Sequence, residues 1–358
     1  MKPVYGLSLV AFLVFYSWRR KSLTSLGLVT AGLTATVHAL HPWNTPFVLL
    51  AVFYLGSQRA TKVKHEIKAR LTVSATGAEG GEGPRNHVQV LVNSITATVL
   101  IIAHTFVLSR DDFESCFAMG NTAADILMVG IVAHYCATAA DTYSSELGIL
   151  AKSKPRLITS LTLRQVPPGT NGGVTMAGLL AGLLGSFTVA LGSVLSTPVC
   201  SERSSLQDRA LWVVALSFWG LMGSVLDSVL GGLFQSTVVD TRSGKVVEGS
   251  NGQTVLIRPG SSNSRTGSKQ TSTGESTGTD QLNGAGGVTQ RGSHATGQSV
   301  DAPAGHEGHQ SRQMLSGRNW LNNNGVNLVQ ALVMTVGAMG IAQWFWGIDV
   351  RELLELLA

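Results

Sequence analysis

The sequence DTYSSELG at residues 141–148 ends one long apolar segment, and VPPGTNGG at residues 166–173 begins the next. Both apolar segments are long enough to cross a bilayer, so this polar stretch lies at a membrane boundary. Asp141 and Glu146 are costly at such a boundary unless a metal ion or a proton neutralises them. A glycine-rich turn that enters a helix offers backbone N–H groups to an anion. Together the two motifs predict a nucleotide or phosphate site on a membrane protein.

The composition is that of a polytopic membrane protein. Of the 358 residues, 44% are hydrophobic and 13% are charged, and the mean hydropathy is +0.22. Soluble domains contain about 25% charged residues. We therefore predict an all-α fold, a membrane helix bundle with about eight transmembrane spans. The spans are expected at about residues 3–18, 22–40, 45–57, 88–109, 122–140, 173–196, 210–235 and 326–348.

The basic residues indicate one orientation for these spans. Lysine and arginine divide 21 to 5 between the two sides, and still 13 to 5 when the long loop at 236–325 is left out. The basic side, with loops 58–87, 141–172 and 236–325, is therefore expected in the cytoplasm. Because topology explains the basic residues, the sequence pI of about 9.2 does not indicate nucleic-acid binding. No signal or plastid transit peptide is evident, and we expect an integral protein of the endoplasmic reticulum membrane.

One segment differs from the rest of the chain in composition. Residues 248–317 are rich in Gly, Ser, Thr, Asn and Gln and nearly free of aliphatic and aromatic side chains. Such a segment cannot bury enough apolar surface to fold, so it is predicted to be a disordered insertion. It would separate a membrane domain at residues 1–247 from the last span and tail at residues 318–358.

The remaining unusual polar residues gather on the predicted cytoplasmic face. Asp227 lies inside span seven, where a charge costs on the order of 3 kcal/mol on insertion scales, so a functional role is favoured over a structural one. Asp141, Glu146 and Asp227 are predicted to be catalytic and to bind a divalent cation, expected to be Mg²⁺. Nucleotide or acceptor phosphates are assigned to Gly169, Thr170, Asn171, Gly172, Gly173, Arg85, Lys154 and Arg164. Supporting polar roles are assigned to Asn86, Gln89, Asn93, Ser145, Ser224, Ser228, Gln235, Asn324 and Asn327.

Other polar and small residues favour structural interpretations. His38, His104 and His134 lie on apolar segments without matching ligands, so they are expected to be hydrogen-bonded core residues. Span six contains glycines that are expected at close helix contacts, namely Gly178, Gly182, Gly185 and Gly192. Cys116 and Cys200 both lie on the non-cytoplasmic side, where they either stay free or pair if that side is an oxidising lumen.

The chain resembles the transmembrane protein 19 family, whose plant member is the phytyl-phosphate kinase of tocopherol synthesis. The resemblance lies in residues 85–93, 140–148 and 166–173 and in a later group of motifs. That group is Gly223-Ser224, Asp227-Ser228, Gln235, Asp240 with Gly244-Lys245, and Asn323-Asn324 with Asn327. The layout is also similar to that of CTP-dependent polyprenol kinases. Two departures are the long insertion after Lys245 and the presence of Gly325 before Val326.

The resemblance implies phosphoryl transfer from a nucleoside triphosphate, with CTP expected, to a prenyl or phytyl monophosphate. The partners would be this isoprenoid phosphate and membrane lipids, with no nucleic acid. A transporter with Asp227 as a buried proton or cation site is the alternative, and a non-catalytic scaffold would leave Asp227 unexplained. Transporters often contain internal repeats, and none is found between the two halves of this chain.

Overall fold

The computed structural model describes residues 3–75, 83–110, 116–120, 122–200, 202, 204–249, 252–255, 311–349, 351–352 and 355. Helices in this part of the chain are α1 Pro3–Arg19, α2 Ser25–Leu40, α3 Thr45–Lys62, α4 His65–Ala69, α5 His87–Val92, α6 Ile95–Leu108, α7 Ala123–Gly148, α8 Met176–Ser196, α9 Leu206–Phe234 and α10 Asn323–Trp346. Strands are β1 Val73–Ser74, β2 Arg156–Leu157, β3 Gly173–Val174, β4 Thr237–Asp240, β5 Val246–Glu248 and β6 Arg312–Ser316.

Helix α7 is the centre of the bundle. Its most apolar stretch is wholly buried, and it packs against α3, α6, α8, α9 and α10. A helix that is hydrophobic on every side is stable only when it is surrounded in this way. Asp125, in its first turn, accepts hydrogen bonds from the backbone N–H groups of Ala118 (3.1 Å) and Gly120 (2.8 Å). The polar residues at the other end of α7 are thereby placed among the neighbouring helices.

Close packing of α8 on α7 depends on glycine. A Cβ atom added at Gly178 or Gly182 would lie 3.1 Å from an α7 carbonyl oxygen, and one at Gly185 would lie 2.8 Å from another. The predicted small-residue contacts are confirmed at these positions. A Cβ at Gly192 would make only ordinary contacts with α3. The opposite face of α8 exposes large side chains such as Leu180 and Leu195, as a lipid-facing helix does.

The prediction of eight spans is confirmed only in part. Within the described residues, four helices (α7, α8, α9 and α10) are long and apolar enough to cross a membrane. The apolar helices α2 and α6 have 16 and 14 residues. The predicted fourth span at 88–109 is interrupted between α5 and α6, where Asn93 Nδ2 donates to Gln89 O (2.9 Å) and Ser94 Oγ to Val90 O (2.8 Å). Such side-chain bonds to the preceding turn compete with helix propagation.

The all-α prediction needs correction, because a small sheet covers one end of the bundle. Its strand order is β1-β5-β4-β6, with β1 parallel to β5 and the other pairs antiparallel. Several valines of the sheet are buried, among them Val238, Val246 and Val247. The strands have two to five residues, too few for their alternation to be recognised in the sequence. We call this side of the molecule the sheet end.

The motif Asp240 with Gly244-Lys245 forms the turn between β4 and β5. The Asp240 carboxylate accepts from Ser243 Oγ (2.8 Å) and from the N–H groups of Arg242 and Ser243, and Gly244 has φ +67°. Hydrogen bonds from Ser311 and then from Ser243 hold the pKa of the Asp240 carboxyl below its usual value. This motif therefore has a structural explanation as a hairpin turn.

The sheet end collects the loops that the charge pattern assigned to one side. Strand β1 from loop 58–87 pairs with β5, and β2 pairs with β3 across loop 141–172. At the opposite end, Cys116 and Cys200 form a disulfide beside a bridge between Phe117 and Val199. Which side faces the cytoplasm stays a prediction.

The predicted insertion at 248–317 has different boundaries. Glu248 belongs to β5 and Arg312–Ser316 forms β6, which pairs with β4. The buried Arg312 guanidinium also donates to the carbonyl of Ala75. Most of the remaining insertion, residues 256–310, lies outside the described residues.

The three singled-out histidines are hydrogen-bonded core residues, as predicted. His38 contacts Tyr135 Oη (2.6 Å), His104 contacts His41 (2.9 Å), and His134 contacts the Asn93 carbonyl (2.9 Å). All three are fully buried between helices.

Candidate functional site

A polar cavity of about 270 Å³ opens at the sheet end, between α7, α9 and the loops that follow α3 and α7. We call it the carboxylate cavity. It brings together most of the residues that the sequence singled out. Predicted site residues in its wall are Asp141, Ser145, Glu146, Gly169, Thr170, Asn171, Gly172, Gly173, Ser224, Asp227, Ser228 and Gln235.

Two carboxyl groups meet inside this cavity. Asp141 lies within α7, which continues to Gly148 instead of ending before Asp141 as predicted, and its carboxyl shares a hydrogen bond with that of Asp227 on α9. Near this pair, Ser144 Oγ and Ser224 Oγ lie 2.5 Å apart and join the same two helices. Two ionised carboxyls in contact repel each other unless a proton or a cation lies with them.

Helix α10 adds a third group to the pair. The Asn327 amide, with its nitrogen towards α9, donates to Asp227 Oδ1 (3.3 Å) and to Asn323 O (2.9 Å). This hydrogen bond partly accounts for a carboxyl inside a membrane helix, since the neutral Asn327 amide satisfies one oxygen of Asp227. The predicted juxtaposition of Asp141, Asp227 and Asn327 is therefore present in the structure.

Glu146 forms an ion pair with a lysine instead of joining the two aspartates. Its Oε2 lies 2.5 Å from Lys68 Nζ, and its Oε1 accepts from Thr61 Oγ1 (2.7 Å). Lys68 Nζ also donates to the carbonyls of Ala60 (3.1 Å) and Thr61 (2.6 Å), so it caps the last turn of α3. Within the described part of the chain, no cluster of three or more His, Cys, Asp or Glu side chains is arranged for a metal ion. Glu146 is therefore paired with Lys68, and the roles of Asp141, Glu146 and Asp227 as cation ligands stay a prediction.

The glycine-rich loop does not open a helix, contrary to prediction. Strand β3 and the N-cap Thr175 lie between it and α8. Three of its N–H groups are already bonded: Thr170 to Pro167 O, Asn171 to Thr237 Oγ1 (3.1 Å) and Gly173 to Thr170 O. The N-terminus of α8 therefore does not lie in this loop, whereas the last turns of α9 pack against Gly172.

Close packing explains one of the loop glycines. Gly172 has φ +78°, and a Cβ there would lie 2.7 Å from Gly232 Cα and 2.8 Å from the Ser228 carbonyl on α9. The loop is thereby pressed against α9 next to Asp227. Among the described residues, the N–H groups of Gly169 and Gly172 have no hydrogen-bond partner, so they are the two that a ligand can use.

The basic residues assigned to phosphate are not in this cavity. Lys154 and Arg164 are exposed on the surface, and Arg85 lines a separate, mostly apolar cavity of about 80 Å³ between α1, α2, α3 and α5. Lys68 and His65 line the carboxylate cavity instead. Sequence reasoning missed both, and the only signal was their place in the short basic segment after α3.

Several supporting residues have local structural roles. Asn86 and Gln89 form the capping box of α5, with each side chain bonded to the other residue's N–H (3.0 Å). Asn93 ends that helix, and Asn324 is buried at the start of α10. Gln235 Nε2 donates to Asn323 Oδ1 (3.4 Å), which ties the end of α9 to α10. The Gln235–Asn323 bond joins two residues of the cavity wall, whereas the residues of α5 do not line this cavity.

A family model described as integral membrane protein DUF92 matches residues 8–335, which is nearly the whole chain. The chain belongs to this family. The resemblance to the transmembrane protein 19 family is thereby confirmed, as is its nature as an integral membrane protein.

Three relatives show how far the similarity extends. Protein PGR of Arabidopsis thaliana is 38% identical over 256 residues, which cover 70% of this chain and 85% of PGR. Protein VTE6, chloroplastic, from the same plant is 29% identical over 204 residues, covering 55% of this chain and 56% of VTE6. An uncharacterized membrane protein of Methanocaldococcus jannaschii is 38% identical over 108 residues, covering 30% of this chain and 40% of that protein. No solved structure matches the chain.

Proposed function

We propose that this protein is an integral-membrane kinase that transfers a phosphoryl group from a nucleoside triphosphate to an isoprenoid monophosphate. CTP is the expected donor and a prenyl or phytyl diphosphate the expected product, in the endoplasmic reticulum membrane. The Asp141–Asp227 pair carries the proposal, because it places two carboxyl groups from α7 and α9 in one polar cavity at the end of a membrane bundle. Family membership and the similarity to VTE6 support it.

The residues present fit a magnesium ion. Mg²⁺ is usually bound through one or two carboxylates, with phosphate oxygens and waters completing its shell, and Asp141 and Asp227 supply such a pair. When bound, the ion would neutralise charge on the nucleotide phosphates. Its positive charge would also relieve the repulsion between the two ionised carboxyls.

The other residues would position the two phosphates. The N–H groups of Gly169 and Gly172 are donors in the cavity wall, and Lys68, paired with Glu146, contributes a positive charge elsewhere in the same wall. A phosphate monoester is already anionic at pH 7, so transfer to it needs no general base. Positioning and charge compensation are the main requirements of phosphoryl transfer. The isoprenoid chain would lie among the apolar spans, with its phosphate at the sheet end.

One observation favours a second candidate. The hydrogen bond between Asp141 and Asp227 also accommodates a proton, which is what a transporter with Asp227 as its coupling site would require. Such a protein would show a flux that depends on pH but not on Mg²⁺. It would have no need of the glycine loop that lines the same cavity.

The test is a phosphoryl-transfer assay on the purified full-length protein in detergent. Labelled CTP and ATP are offered with phytyl, farnesyl or geranylgeranyl phosphate, with and without Mg²⁺. We expect Mg²⁺-dependent diphosphate formation by the wild type and loss of most turnover in Asp227→Asn. Asp208→Asn is the matched control, because Asp208 lies on the same helix in its N-terminal capping box, away from the cavity. Normal turnover by Asp227→Asn would show that the Asp141–Asp227 pair is not needed for transfer and would refute the proposal.

A further inference from the structure

A second cavity, of about 450 Å³, lies beside the carboxylate cavity and against strands β4 and β5. We call it the amide cavity. The two cavities share a wall that includes Gly169, Asn171, Gln235 and Asn323. The two cavities are therefore adjacent along this wall.

Six of the described residues that line the amide cavity carry side-chain amides. Among the described residues that line it there is no lysine or arginine, and the one acidic residue is Glu248. The amides on which the argument depends are Gln89, Asn171, Gln235, Asn322 and Asn323. Their elements are distant in sequence and meet only in the fold.

Each of these amides uses only one of its two ends within the described structure. Gln89 and Asn322 accept through their oxygens at the N-caps of α5 and α10 (3.0 and 2.9 Å). Asn171 donates through its nitrogen to the Ser236 carbonyl (3.2 Å). Gln235 donates through its nitrogen to the Asn323 oxygen (3.4 Å). Three amide nitrogens and two amide oxygens are left without a protein partner.

The chemistry of this wall suits the nucleoside of a nucleotide better than its phosphates. A wall without lysine or arginine and with one carboxylate does not favour phosphates, and an isoprenoid chain requires an apolar wall, so neither suits this polar cavity. Asn and Gln amides present a donor and an acceptor, which is how proteins bind the edges of nucleobases. A volume of about 450 Å³ is within the range of pockets that hold a small organic ligand.

We propose that the amide cavity binds the nucleoside of the triphosphate, with the phosphates extending across the shared wall to Asp141 and Asp227. This inference rests on the proposed function and adds to it where the base and sugar are recognised. It also assigns nucleotide selectivity to the walls of the amide cavity and not to the glycine loop alone.

The experiment compares ligands with and without a nucleoside. Binding of inorganic tripolyphosphate and of the β,γ-methylene analogues of CTP and ATP is measured by calorimetry on the full-length protein in detergent with Mg²⁺. We expect the wild type to bind at least one nucleotide analogue more tightly than tripolyphosphate. Tripolyphosphate reports on the carboxylate cavity, and the difference reports on the amide cavity.

The main variant is Asn322→Ser. Asn322 lines the amide cavity alone and caps α10, and serine is about as good an N-cap residue as asparagine, so folding is preserved. Loss of one hydrogen-bonding amide should weaken binding of the nucleotide analogue by about 3–10-fold and leave binding of tripolyphosphate unchanged. Asn323→Ser, at a residue that lines both cavities, should weaken binding of the nucleotide analogue more than binding of tripolyphosphate. Asn44→Ser is the control, since Asn44 is an exposed N-cap residue of α3 without a side-chain capping bond.

The outcomes separate this inference from the proposed function. If the nucleotide analogue keeps its full advantage over tripolyphosphate in both variants, the amide cavity does not bind the nucleoside. Equal weakening of the two ligands would also overturn the inference, because the effect would then lie in the phosphate site. If the wild type binds tripolyphosphate and nucleotides equally well, the inference alone is lost. Binding of neither ligand by the wild type would overturn the proposed function as well.

Discussion

The ion pair between Lys68 and Glu146 leads to a quantitative prediction. The Nζ–Oε2 distance is 2.5 Å, and the two side chains are only 9% and 14% exposed. Removing one partner of a buried pair leaves an uncompensated charge, which costs about 3–5 kcal/mol. Lys68→Met also removes the donor that caps two carbonyls of α3, at about 1 kcal/mol per hydrogen bond. Because both side chains keep slight exposure, we expect each single variant to lose about 3 kcal/mol of unfolding free energy.

The double variant Lys68→Met with Glu146→Gln makes the prediction specific. It removes both charges together, so it should be no less stable than either single variant, and the two effects should be strongly non-additive. The assay is a reversible SDS titration of the purified protein in mixed micelles. Lys62→Met and Glu66→Gln change exposed charges in the same segment, so they should stay within about 0.5 kcal/mol of the wild type.

The same measurement decides between two roles for Glu146. If Glu146 were a cation ligand, as its position in the sequence indicated, its carboxylate would be unpaired without metal. Glu146→Gln would then be neutral or stabilising in Mg²⁺-free buffer. That result, or simple additivity of the two single variants, would refute the reasoning from the ion pair.

Further predictions concern the loop, the orientation and the insertion. Gly172→Ala should destabilise the protein by about 1–3 kcal/mol in the same SDS titration, since φ is +78° and a Cβ would lie 2.7 Å from Gly232 Cα. Gly340→Ala should instead stabilise it by about 0.5–1 kcal/mol, because a Cβ at Gly340 in α10 would meet nothing within 4 Å. A cysteine at Ser262 should react with an impermeant thiol reagent only from the cytosolic side, and labelling from the lumen would reverse the proposed orientation. Deletion of residues 256–310 should leave folding and transfer activity intact, as measured by size exclusion in mild detergent and by turnover, and aggregation of the shortened protein would contradict this.

Sequence periodicity and polarity were sufficient for the main membrane helices and for the meeting of Asp141 with Asp227. A long apolar run has few structural alternatives, and an acidic residue inside one is rare enough to attract attention. The alternation of basic loops then placed the ends of α7 and α9 on the same side. Those two inferences bring the carboxyls together without any knowledge of helix packing.

The contacts that the sequence did not reveal join residues far apart in the chain, and no local pattern marks them. Lys68 and Glu146 are 78 residues apart, and nothing in either segment marks its partner. Arg85 had the character of a phosphate ligand, yet its backbone is bound to Ser22 and Thr24 on the α2 side of the bundle. The strands are too short for a periodic pattern, so β6 was included in a segment that composition marked as disordered. In each case tertiary pairing, and not local propensity, determines the structure.

The position of α10 has a consequence for how the protein is made. Phe234 ends α9 and Asn323 begins α10, so the ribosome must add about 90 residues between them, which takes on the order of 4–18 s at about 5–20 residues per second. During that time the segments that carry Asp141 and Asp227 are complete, but Asn327 has not been synthesised. The two carboxyls must therefore be tolerated by a half-built bundle, which favours a shared proton at that stage. Arrival of the last helix then completes the cavity, so a chain that stops before residue 323 should contain the paired carboxyls without their amide partner.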